Sequence, residues 1–148
     1  MFKHILIPTD GSAVANKAVK AGIQLAKALG AKVTGYYAVE PMRPHVYGEG
    51  HMITNSQMVK AWEERAREYG ERQLEILAKS AKAAGVPFNA LVTVAETPYE
   101  GIIEATKQQK CDAIFMASHG RSGLQGLIMG SVTHKVLAHS TLPVLVYR

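Results

Sequence analysis

Short unbroken apolar runs alternate along the chain with longer stretches in which apolar residues return every three or four positions. Ile5-Leu6-Ile7 is the first such run, stopped by Pro8, and runs of this kind read as strands buried on both faces, as in parallel sheets. Thr9-Asp10-Gly11-Ser12 is turn chemistry, with Ser12 placed to cap a helix. From Ala13 the helical period takes over through Ala15, Ala18, Gly22, Leu25 and Leu29, and Gly30 sits where a C-terminal cap belongs. Val33 to Val39 forms a second strand rich in Val, Thr and Tyr, closed by Pro41. Residues 41–55 carry no period and hold several prolines and glycines, which predicts a long connecting loop of the functional kind. Ser56 to Ala84 predicts a long helix with Met58, Trp62, Ala66, Tyr69, Leu77 and Ala81 near one face, its Trp62–Tyr69 stripe belonging to the core. Phe88 to Val94 alternates like a half-exposed edge strand. Thr97-Pro98 opens a third helix with proline at its first position. Ala113 to Met116 is another buried strand, Ser131 to His139 a last helix, and Val144-Leu145-Val146-Tyr147 a last strand.

The order βαβαβαβαβ argues for a single α/β domain over residues 1–148, a doubly wound, Rossmann-like parallel sheet of five strands with helices on both faces. The chain's 148 residues suit one self-sufficient core. No apolar run has the length of a membrane span, and the N-terminus has neither the apolar length nor the cleavage site of a signal peptide. One cysteine, Cys111, forms no internal disulfide, so the reducing cytoplasm is the expected compartment. The net charge of +5 raises nucleic-acid binding as a reading, but the basic residues are scattered and form no run.

The densest candidate chemistry lies between the fourth strand and the last helix. Residues 117–131 hold Gly120, Gly123, Gly126 and Gly130, and Gly130-Ser131 stands at a helix start. Glycines let backbone N–H groups approach a ligand, and the unpaired amides of a helix start favour an anion, above all phosphate. Ser131 can cap the helix and offer its hydroxyl. The lysine of a Walker A loop is absent, and so is the dinucleotide fingerprint. A surface loop leading into a capped helix is the alternative reading. In an open parallel sheet, ligands bind beyond the carboxyl ends of strands where the order reverses. With the first and fourth strands as neighbours, Thr9 to Ser12 would face residues 117–131, and Asp10 would either shape its turn or lie near ribose or a phosphate-bound metal. His134 and Lys135 fall at the start of the last helix, where a cation opposes the macrodipole unless an anion is bound.

Read together, Ile5-Leu6-Ile7-Pro8-Thr9-Asp10-Gly11-Ser12, Ala117-Ser118-His119-Gly120, Gly130-Ser131-Val132 and Pro143-Val144-Leu145-Val146 make the whole chain resemble the universal stress protein family. The ATP-binding branch of that family carries the pattern G-x2-G-x9-G-[ST], which falls here on Ala117, Gly120, Gly130 and Ser131 with its spacing intact. The resemblance implies the strand order 3-2-1-4-5 and ATP, accompanied by Mg²⁺, held between the two loops. It implies that Gly120, Gly130, Ser131 and Val132 meet phosphates, with His119, Arg121 and Gly123 in the same loop. Pro8, Thr9 and Asp10 would lie near phosphate and ribose, Val39 over the adenine, and Ala117 by the ribose. Alanine at 117 is harmless where φ is negative and the ligand clears the methyl. At positive φ it costs about 1–2 kcal/mol, about tenfold in affinity. The resemblance also implies a homodimer, which would cover the apolar edge formed by Val144, Leu145, Val146 and Tyr147.

The histidines have no metal spacing, Cys111 has no activating neighbour, and Asp112 reads as a cap on the turn before the fourth strand. No catalytic triad or carboxylate pair can be placed. The sequence therefore argues for an ATP-binding stress-response regulator more than an enzyme, with a nucleotide-free interaction module or a slow ATPase using Asp10 as the alternatives.

Overall fold

Ile5, Leu6 and Ile7 lose all solvent contact in the centre of a five-stranded sheet, so the first apolar run is a strand buried on both faces. The computed structural model describes residues 1–43, 56–120 and 129–148. Its elements run β1 (His4–Pro8), α1 (Ala13–Leu29), β2 (Lys32–Val39), α2 (Ser56–Ala84), β3 (Phe88–Val94), α3 (Pro98–Gln109), β4 (Ala113–Ala117), α4 (Ser131–His139) and β5 (Val144–Tyr147). The strands lie in the order β3-β2-β1-β4-β5, all parallel. The order reverses between β1 and β4, where Ile5 pairs with Ala113 and Leu6 with Ile114. The predicted fold class and strand order are those observed.

Each strand's alternation sorts its residues between two cores. Ile5, Ile7, Val33, Phe115 and Ala117 pack with Ala18, Val19 and Ile23 of α1 and Leu74 and Leu77 of α2. Leu6, Tyr36, Ile114 and Met116 pack on the other face with Ile102 and Ala105 of α3 and Val136 of α4. Helices therefore cover both faces, as a parallel sheet requires.

The helix ends follow their sequence signals closely. The Ser12 hydroxyl accepts the Ala15 N–H at 3.2 Å, and Gly30 closes α1 at φ 62°. The buried side of α1 is Ala15, Ala18, Val19, Gly22, Ile23 and Ala26; Leu25 and Leu29 sit at its margin, half-buried against the core. Gly22 is small because an added Cβ would stand 2.7 Å from Ile7 and 2.8 Å from Phe115. α3 starts at Pro98, but the Thr97 hydroxyl donates to Glu100 Oε2 at 2.6 Å rather than capping the helix.

Three expectations need correction. Trp62 and Met58 are not core residues; each is about half exposed. The helix has 29 residues, about 43 Å, against about 27 Å for the longest strand, so its first turns run past the sheet and only Gly70, Leu74, Leu77 and Ala81 are buried. Asp112 caps no turn. Its carboxylate accepts the Lys3 N–H at 2.8 Å and the His4 N–H at 3.1 Å, tying the start of β1 to β4. Ser131 does not cap α4; the cap is Gly130 and Ser131 is the first helical residue. Among the described residues no helix is long and apolar enough to cross a membrane.

Candidate functional site

The loop after β1 is built by its own side chains. Thr9 Oγ1 accepts the Gly11 N–H at 3.1 Å and Asp10 Oδ1 accepts the Ser12 N–H at 2.9 Å, two local turns characteristic of Thr and Asp. The Thr9 N–H donates to the Tyr36 carbonyl at 2.9 Å, which anchors the loop to β2. Gly11 takes φ 79° beneath α2, where an added Cβ would also lie 2.9 Å from Gln73.

Opposite it, the end of β4 grips the start of α4. The buried Thr133 hydroxyl donates to the Ala117 carbonyl at 2.9 Å, and the Gly130 N–H donates to the Ser118 carbonyl at 2.8 Å. These two bonds aim the helix start at the space beyond β1 and β4. The first intrahelical bond runs from the His134 N–H to the Gly130 carbonyl. The geometry of a helix start leaves the N–H groups of Ser131, Val132 and Thr133 without an intrahelical acceptor, and Gly130 has no side chain to cap them.

Between these two loops lies a cavity of about 670 Å³, the size of a small-molecule site. Its lining brings Thr9, Asp10, His119, Gly120 and the first turns of α4 together with the apolar side chains of Ala38, Pro98, Ile102 and Met116 and the Tyr36 ring. Gly120 lies so close to Asp10 that a Cβ on it would collide with the carboxylate. Gly130 lies against His119, with 3.0 Å between its would-be Cβ and the His119 Cα. His119 Nδ1 shares a 3.0 Å hydrogen bond with the Ser118 hydroxyl.

Of the candidate residues, Pro8, Thr9, Asp10, Ala117, His119, Gly120, Gly130, Ser131 and Val132 meet on this one cavity. Val39 does not line it. Val39 is buried and its carbonyl accepts the Ala95 N–H at 2.9 Å, whereas its neighbours Ala38 and Glu40 form the wall. Arg121 and Gly123 lie outside the described residues, as does the loop predicted over 41–55 beyond Arg43. The apolar floor went unread in the sequence because its residues come from strand and helix interiors. Pro98 was the available signal, since α3 must start at the carboxyl end of the sheet.

Ala117 meets the backbone condition of the favourable alternative. Lys110 is the non-glycine residue at positive φ among those described, so Ala117 keeps an ordinary strand backbone. Its methyl packs in the α1/α2 core. Cys111 is buried, and burial with Asp112 beside it pushes its thiol up to about 11, which suits an inert sulfur.

The universal stress protein family profile matches residues 1–148. The chain is 33% identical to Universal stress protein MJ0531 of Methanocaldococcus jannaschii, over 100% of this chain and 83% of that protein. The structure of MJ0577 from the same organism superposes with a TM-score of 0.74 at 26% identity, covering 99% of this chain and 95% of the other. A universal stress protein solved in complex with cAMP shares the fold, with a TM-score of 0.73 at 24% identity over 99% and 97% of the two chains. With a full-length family match, a relative at one-third identity and the same sheet order, the chain belongs to the universal stress protein family.

Proposed function

We propose that the cavity binds ATP and that the protein is a nucleotide-responsive stress regulator acting as a homodimer. The carrying observation is one cavity that joins apolar side chains of β2, α3 and β4 to the polar loop after β1 and the start of α4. A purine ring requires the first and a phosphate chain the second. The base lies over Ala38 beside Pro98 and Ile102, and the ribose passes Ala117 and Asp10. The phosphates rest on the amides of Ser131, Val132 and Thr133. The family relative solved with cAMP supports an adenine nucleotide.

Mg²⁺ fits this arrangement as a companion of the nucleotide. The ion takes most of its ligands from phosphates and water, and Asp10 supplies a carboxylate on the cavity wall. The described residues contain no group of three His, Cys, Asp or Glu that would form a cage by itself. Asp10 is the carboxylate of the two loops and Glu40 lines the same cavity; the site is read as one of binding, with hydrolysis incidental.

Isothermal titration with ATP, with and without Mg²⁺, tests the reading on the wild type and on Gly130→Val. The wild type binds one ATP per chain. The valine, pressed on the His119 backbone, abolishes binding while the melting temperature confirms a folded protein. Equal binding by both would remove the phosphate seat from residues 130–133.

A further inference from the structure

One cation on the cavity wall has a fixed position that the nucleotide reading does not by itself require. Lys135 lines the cavity, and its ammonium stands 5.2 Å from the centroid of the Tyr99 ring. That ring also packs on His139, at 5.3 Å between centroids and 32° between planes. Lys135 stands one turn after Ser131 and lines the same cavity as Ser131, Val132 and Thr133. A cation there opposes the helix dipole, and the ion pairs among the described residues, Arg72–Glu68 and Lys107–Glu104, do not include it. An aromatic face attracts a cation without neutralising its charge. The Tyr99 ring therefore holds the ammonium of this cavity-lining lysine with its charge still available to an anion.

We infer that Lys135, positioned by Tyr99, is the residue by which the cavity prefers a nucleoside triphosphate to a monophosphate. The inference rests on the nucleotide reading and deepens it. The amides of Ser131 to Thr133 can hold one phosphate; a longer chain brings further charge within reach of the ammonium. A monophosphate gains little from Lys135, and a triphosphate gains a charge-assisted contact.

The test measures the affinities of ATP, ADP and AMP for the wild type, Lys135→Gln, Tyr99→Leu and Tyr99→Phe. The Gln variant is expected to lose roughly tenfold for ATP and less than about twofold for AMP, so the ATP-to-AMP ratio collapses. Tyr99→Leu loses about two- to fivefold for ATP, the worth of an exposed cation–π contact, and Tyr99→Phe, which keeps the ring, recovers most of it. A uniform loss across the three nucleotides, or an unchanged ratio, overturns the role of Lys135 while leaving the site intact. Failure of the wild type to bind any of them overturns the nucleotide reading and this inference with it.

Discussion

Ala117 shows how backbone and packing bear on a departure from a family pattern. A glycine is required where φ is positive or where a ligand touches the Cα. Ala117 has an ordinary strand conformation and turns its methyl into the α1/α2 core. Gly120 and Gly130 differ, because a Cβ on Gly120 would collide with the Asp10 carboxylate and one on Gly130 would press on the His119 backbone at 3.0 Å. Ala117→Gly is therefore expected to leave ATP affinity unchanged and to lower stability by about 0.5–1 kcal/mol, the cost of glycine in a strand. Titration calorimetry and urea unfolding read the two effects separately, and tighter ATP binding by the glycine variant would show that the methyl does intrude on the ligand.

Among the elements, β5 carries the dimer proposal. It is the edge strand beside β4, pairing Ile114 with Val144 and Ala117 with Tyr147. The Ile114 N–H donates to the Pro143 carbonyl and the Ser118 N–H to the Tyr147 carbonyl, so the odd-numbered residues of β5 point their backbone groups at β4. The N–H and C=O groups of Val144 and Val146 then face outward along an apolar edge, the arrangement that invites pairing with another strand. Val146→Pro removes an outward donor and no bond to β4, a change edge strands tolerate. Sedimentation is expected to show a dimer for the wild type and a monomer for the proline variant; a proline variant that remains dimeric would place the contact elsewhere.

At the scale of the whole molecule, the fold was legible because its signals are local and repeated. Apolar runs such as Ile5–Ile7 and Ala113–Met116 announced buried strands, and Ser12, Gly30 and Pro98 marked helix ends. The polar part of the site was legible for the same reason, since Thr9 to Ser12 directly follow β1 and Gly130-Ser131 directly open α4. The apolar half was not, because Tyr36, Ile102 and Met116 resemble ordinary core residues until the sheet brings them together. Trp62 misled because a helical period gives no information on where the sheet beneath it ends.

The opposite end of the sheet sets a pH limit on stability. His4 is buried with Nε2 bonded to the Thr34 hydroxyl at 2.8 Å, and its Nδ1 has no partner among the described residues. Burial, then the nearby Lys32 charge, hold its pKa below the usual 6.5, against smaller opposing pulls from Asp112 and the backbone of Lys110 and Gln109. The unfolded chain therefore takes up this proton at a higher pH than the folded one. Stability is complete above about pH 6.5 and declines as pH falls below it, until the folded protein also accepts the proton. Thermal melts from about pH 7.5 to 5 are expected to fall more steeply for the wild type than for His4→Gln; parallel curves would remove His4 as the cause.

The central claim is that adenine nucleotide sits across β1 and β4 with its phosphates on the start of α4. Following backbone amide resonances of the isotopically labelled protein while ATP and Mg²⁺ are added tests that placement directly. The account predicts the largest shifts at Gly120, Ser131, Val132 and Thr133, with smaller ones at Asp10 and Ala38. Shifts concentrated around His4 and Lys32 at the far end of the sheet, or none at saturating ATP, would contradict it.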